Sequence, residues 1–124
     1  MSARDVAKKY EMIFRNYLEK LRIPLFDVMP RATEHIPEQI ALVKILEEKE
    51  YTYVVPGDGI YMDTSKVADY GKLLGPNYKK HLEGLQAGER VEMGGKKHPT
   101  DFALWKFAAP SEQRQMEWES PRGM

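Results

Sequence analysis

Few residues in this chain have the type and spacing for chemistry, and those that do are scattered. Its three histidines, His35, His81 and His98, lie far apart, and none has a second ligand at metal-binding spacing. His35 with Glu34 or Glu38 comes nearest to a pair, but helix starts commonly use that pattern for capping or surface polarity. The carboxylate pairs Glu47-Glu48 and Glu117-Glu119 sit in polar segments with nothing apolar to raise a pKa, which argues against general acid–base work. Ser111 and Ser120 lack a nucleophile elbow. Pro56-Gly57-Asp58-Gly59 places an acid where a phosphate loop needs bare amides, so it reads as a turn. The chain has no cysteine, which removes disulfides, thiolate zinc sites and a thiol nucleophile. No catalytic residue, metal ligand or nucleotide-binding residue is therefore expected.

Positive charge beside aromatic rings is the remaining signal. Lys79-Lys80-His81 and Lys96-Lys97-His98, together with Arg31, can make a local patch with Tyr78 as a stacking surface, the general recipe for an RNA contact. Lysines on helix faces also serve plain solubility. The candidate contacts are Lys79, Lys80, Lys96, Lys97 and Arg31. Lys+Arg and Asp+Glu both number 19, so no global charge draws the chain to nucleic acid or a membrane. Its apolar runs are far shorter than a membrane span, and the Arg4-to-Arg22 segment is too charged for a secretory signal. A cytoplasmic protein with no membrane partner is expected, and a monomer.

The elements that must hold these residues follow from periodicity. With 124 residues there is room for one domain and a modest core. Val6, Tyr10, Ile13, Phe14, Tyr17, Leu18 and Leu21 recur at steps of three and four, and Ser2 with Asp5 has capping-box spacing. Both point to a helix over about 3–21, packed on one side and ended by Pro24. A second helix over about 36–49 has Pro37 in its first turn and a broad apolar stripe through Ile36, Ile40, Leu42, Val43, Ile45 and Leu46, wide enough to be sandwiched. Tyr51 to Met62 alternates around the Pro56-to-Gly59 turn, which predicts a hairpin over about 51–62. Asp63 or Thr64 can cap one short helix and Asn77 another, ending before Gly88, and Arg90-Val91-Glu92-Met93 reads as a weak strand. The predicted class is α+β, a small mostly antiparallel sheet packed against two longer helices. Residues 1–109 are expected to form the domain, and residues 110–124 a polar tail carrying Trp118.

The most specific stretch is Lys97-His98-Pro99-Thr100-Asp101-Phe102-Ala103-Leu104-Trp105-Lys106. Pro99 blocks a backbone donor, and Asp101 can cap the backbone just after it. Phe102, Leu104 and Trp105 make a short element too apolar to face water, read as a buried strand whose flanking lysines stay at the rim. This segment resembles the Lys-x-Asn-Pro-x-Asp-Phe-x-Leu-Trp-Lys signature of cysteinyl-tRNA synthetases, with His98 where that family usually has Asn. Pro30-Arg31-Ala32-Thr33-Glu34-His35-Ile36, Asp69-Tyr70-Gly71-Lys72-Leu73, Leu85-Gln86-Ala87-Gly88-Glu89-Arg90-Val91 and Trp118-Glu119-Ser120-Pro121-Arg122-Gly123 are similar to further blocks of the family in the same order. Glu89 stands where a small residue is usual, and Arg122 replaces a common Trp.

The resemblance implies the connective polypeptide inserted between the two halves of a class I catalytic domain. The parent enzyme activates cysteine with ATP and passes it to tRNA, using a zinc ion held by Cys, His and Glu to recognise the thiolate. Its nucleotide motifs and zinc ligands map to no residue here. His35-Ile36 begins like His-Ile-Gly-His but continues with Pro37 and Glu38, and Met62-Asp63-Thr64-Ser65-Lys66 only echoes the Lys-Met-Ser-Lys-Ser loop. The family's missing blocks would lie before residue 1 and after Met124. The resemblance thus implies an insertion domain inactive alone, with ATP and zinc belonging to the parent, the remaining catalytic halves as partners and the tRNA acceptor end as a further one. The alternatives are a stand-alone RNA-binding or protein-interaction module, and the same region of a mycothiol-pathway cysteine ligase.

Overall fold

The computed structural model describes residues 2–77, 94–109, 114 and 116–122. Helix α1 spans Ala3–Lys20 and starts on the expected capping box. The Asp5 amide donates to Ser2 Oγ at 3.2 Å, and the Ser2 amide donates to Asp5 Oδ2 at 2.9 Å. Its end is set by backbone rather than by Pro24. Arg22 takes a φ of 56°, and the amides of Arg22 and Ile23 donate to the carbonyls of Glu19 and Leu18, both at 2.9 Å. That is a Schellman closure with a non-glycine residue in the left-handed position.

A short 3-10 turn, Ala32–Glu34, leads to helix α2, Ile36–Glu48, with Pro37 in the first turn as expected. Helix α2 closes in the same way as α1. Glu50 has a φ of 61°, while the amides of Glu50 and Tyr51 reach the Glu47 and Leu46 carbonyls at 2.8 and 2.9 Å.

Strand β1, Thr52–Val55, and strand β2, Gly59–Met62, form the predicted hairpin, with Val54 opposite Ile60 and Tyr53 opposite Tyr61. Gly57 supplies the positive φ, 75°, that the turn requires. The signature segment returns as strand β3, Phe102–Lys106, antiparallel to β2, which gives a three-stranded sheet of order β1-β2-β3. Ile60 pairs with Trp105 and Tyr61 with Ala103, so Leu104 is the extra residue of a β-bulge. As the central strand, β2 is covered on both faces. Ile60 is fully buried and Tyr61 nearly so, and with Val43 of α2 and Val55 they form the core.

The α+β class, the two helices and the antiparallel hairpin are therefore as the sequence predicts. Three details differ. Helix α1 buries none of its stripe. Helix α2 buries only Val43, with Leu42 and Ile45 exposed, so it covers the sheet from one side instead of being sandwiched. Among the described residues the signature strand has β2 as its one neighbour in the sheet, and its Phe102 is exposed while Leu104 and Trp105 are half-buried. The helix expected after Asn77 and the strand Arg90 to Met93 lie outside the described residues.

Candidate functional site

The chemistry-bearing residues that the fold gathers cluster around Asp101, at the mouth of β3. Its side chain is 2% exposed. Oδ2 accepts from the Tyr53 hydroxyl at 2.8 Å and the His98 amide at 3.0 Å. Oδ1 accepts from the Thr64 amide at 2.9 Å and its hydroxyl at 2.8 Å. Burial pushes the Asp101 pKa up, but hydrogen bonds from the Thr64 amide, Tyr53, the Thr64 hydroxyl and the His98 amide outweigh it. The carboxyl is held below its usual range. Burial first, and the adjacent Asp101 after it, push the Tyr53 phenol up to about 12.

Asp101 thus caps the backbone before it, not after. Residues beyond it enter β3, where the ladder to β2 uses the backbone, whereas the Pro99 turn leaves the His98 amide free to be capped. The Asp101 amide returns to the His98 carbonyl at 3.1 Å and closes the turn.

Around this latch the signature lysines are spent locally. Lys97 Nζ lies 4.5 Å from the centre of the Tyr53 ring and 3.8 Å from Asp63 Oδ2, and its amide donates to the Tyr53 hydroxyl at 2.9 Å. Lys106 Nζ lies over Tyr61, 5.2 Å from the ring centre, donates to its hydroxyl at 2.8 Å and pairs with Asp58. The two rings stack across the hairpin with centroids 5.9 Å apart. Lys106 first, then the Tyr61 hydroxyl, hold the Asp58 carboxyl below its usual range. The Phe107 amide also reaches the Asp58 carbonyl at 2.8 Å, so the hairpin turn and the end of β3 are locked together.

The candidate basic residues are not all in this cluster. Arg31 lies before α2 and donates to Glu11 Oε2 of α1 at 2.8 Å and to Glu34 Oε1 at 3.0 Å. Its guanidinium pKa is raised by Glu11 and then Glu34. Lys96 and Lys97 sit together on the loop before the latch, and Lys79 and Lys80 lie outside the described residues. His35 Nδ1 is 3.9 Å from Glu38 Oε2 with both side chains exposed, and it caps nothing. Among the described residues no group of three His, Cys, Asp or Glu could hold a metal, and no helix is long and apolar enough to cross a membrane.

A groove of about 660 Å³ runs between the start of α2, the second half of β3 and the tail, with Ile36, Leu104, Trp105, Met116 and Trp118 among its walls. The polar tail is seated in part. Ser120 and Pro121 are buried, Ser120 Oγ accepts from the Arg122 amide at 3.1 Å, and Arg122 Nε donates to Glu47 Oε1 of α2 at 2.7 Å. Sequence reasoning took Asp63 and Thr64 only as helix caps and did not place Tyr53 in a site. The signal available was weak: polar side chains in and just after a hairpin whose strands are otherwise apolar.

Among the described residues the fold gives a small domain latched by buried polar contacts, with an apolar groove between α2, β3 and the tail. The model of the class I (C) tRNA synthetase catalytic domain matches residues 1–124, and the chain belongs to that family. Within it the similarity is to cysteine–tRNA ligases. Cysteine–tRNA ligase 1 of Burkholderia lata is 45% identical over 122 residues, 98% of this chain and 25% of the relative. The cysteine–tRNA ligase of Thermococcus gammatolerans is 44% identical over 121 residues, 97% of this chain and 24% of the relative. That of Maridesulfovibrio salexigens is 41% identical over 124 residues, 99% of this chain and 24% of the relative. The chain spans about a quarter of the length of the curated relatives it matches. The resemblance drawn from the signature residues is borne out.

Proposed function

We propose that this chain is the insertion domain of a cysteine–tRNA ligase, an enzyme that activates cysteine with ATP and transfers it to tRNA, and that it is inactive by itself. The observation that carries the reading is the match itself. Nearly all of this chain aligns with cysteine–tRNA ligases, yet it accounts for only about a quarter of them. The residue chemistry agrees, since the sequence holds no cysteine for a thiolate-binding zinc and no glycine-rich phosphate loop. ATP and zinc would be held by other parts of the ligase. In this reading residues 1–109 are the domain proper and residues 110–124 lead on toward the second catalytic half, in a cytoplasmic enzyme that works as a monomer.

The domain's part would be to wall the catalytic cleft and hold the acceptor end of the tRNA. Lys96 and Lys97 support that role. Both lie on the loop whose Lys97 and His98 amides donate to Tyr53 and Asp101, which places two positive charges side by side before β3.

Cysteine-dependent ATP–pyrophosphate exchange tests the reading. The full-length protein is expected to exchange, and the 124-residue chain to show none above background. Robust exchange by the short chain, or none by the full-length protein, overturns it.

A further inference from the structure

The apolar stripe of α1 is complete, and none of the described residues covers it. Val6, Tyr10, Ile13, Phe14, Tyr17 and Leu21 follow helical spacing, yet Tyr10 is 62%, Phe14 50% and Tyr17 58% exposed. The segment after the helix extends the surface with Phe26 and Val28, both largely exposed. An 18-residue helix is about 27 Å long, so this is a contiguous apolar face of interface size. The polar face, by contrast, is already engaged. Glu11 accepts from Arg15 Nη2 at 2.9 Å and from Arg31 Nε at 2.8 Å, which ties that side of the helix to the loop before α2.

We propose that the aromatic face of α1 is where the other three quarters of the ligase chain dock, an inference that rests on the reading above. Two features choose this occupant. The relatives that match are about four times as long as this chain, so a large body of protein is available to cover the face. Half of the stripe is aromatic, Tyr10, Phe14 and Tyr17, residues enriched in protein interfaces because their rings pack and a tyrosine hydroxyl finds a partner. A lipid surface would call for a lysine-rich polar face. Here Arg4, Lys8, Lys9, Arg15 and Lys20 are interleaved with Asp5, Glu11 and Glu19.

Hydrogen–deuterium exchange of the amides of residues 6–23 tests the assignment, measured on the full-length ligase and on the 124-residue chain. Exchange is expected to be slower by about 10²-fold or more in the full-length protein. The double substitution Tyr10→Asp, Tyr17→Asp should lower the melting temperature of the full-length protein and leave the unfolding of the short chain unchanged. Equal exchange in the two samples overturns the proposal. So does α1 protection in the short chain that rises with its own concentration, which assigns the face to a second copy, or that appears on adding anionic vesicles, which assigns it to lipid. Cysteine-dependent exchange by the same full-length sample judges the ligase reading separately. An active enzyme with an unprotected α1 refutes the docking surface alone, whereas protection in an inactive protein refutes the ligase reading and leaves the surface standing.

Discussion

Replacing Asp101 by Asn keeps the shape of the side chain and removes its charge, so it isolates what the latch contributes. The carboxylate accepts four hydrogen bonds, from Tyr53, His98 and twice from Thr64. An amide has one oxygen, so whichever way it is turned its NH2 group faces two of these donors. Tyr53 can rotate its hydroxyl, but a backbone amide of His98 or Thr64 cannot become an acceptor. Hydrogen bonds to a charged group contribute about 1.5–3 kcal/mol each, and two are lost, one of them leaving a buried N–H unsatisfied. A destabilisation of about 3 kcal/mol follows, a large part of what a domain this size has. With an m-value of about 1.5 kcal/mol/M, the urea midpoint should fall by about 2 M, read by the fluorescence of Trp105 in β3 and Trp118 in the tail.

The pH dependence carries a second check. Because the folded carboxyl is held below its usual value, the unfolded chain binds more protons as the solution is acidified. The Asp101 contribution is therefore complete above the unfolded pKa of about 4 and is lost as the pH falls through the lower, folded value. The wild type should lose stability through this acid range more steeply than Asp101→Asn. A midpoint shift under about 0.3 M, or parallel acid profiles, would refute the argument.

Gly59→Ala should destabilise by about 2–3 kcal/mol in the same assay, because its Cβ would collide with the Trp105 carbonyl oxygen, backbone that cannot yield without breaking the β2–β3 ladder. Unchanged stability would mean that β3 does not hold this register. Glu50→Gly should stabilise by about 0.5–1 kcal/mol, since Glu50 ends α2 at a φ of 61° that costs a side-chain-bearing residue energy and glycine none; a loss of stability would contradict the helix-end geometry. Substituting Lys79, Lys80, Lys96 and Lys97 together by Ala should weaken tRNA binding and flatten its dependence on log salt by about three, Lys97 counting least because Tyr53 and Asp63 already engage it. If low-salt binding is the same with all four replaced, these lysines serve only solubility.

What the sequence determined by itself is what neighbours along the chain decide. The capping box of Ser2 and Asp5, Pro37 in the first turn of α2 and the hairpin around Gly57 are contacts among residues a few positions apart, so spacing and residue type predict them. Family membership was legible for the same reason, because the signature around Asp101 is a contiguous string. The tertiary structure decided what lies far apart in sequence. Asp101 bonds Thr64 and Tyr53, 37 and 48 positions away, so only the folded sheet shows that this acid caps the turn before it. It also shows that Lys97 and Lys106 are occupied by Tyr53 and Tyr61. Periodicity says that a helix has an apolar face but not what meets it. The pattern in α1 is that of a packed helix, and the fold leaves it open because none of the described residues covers it.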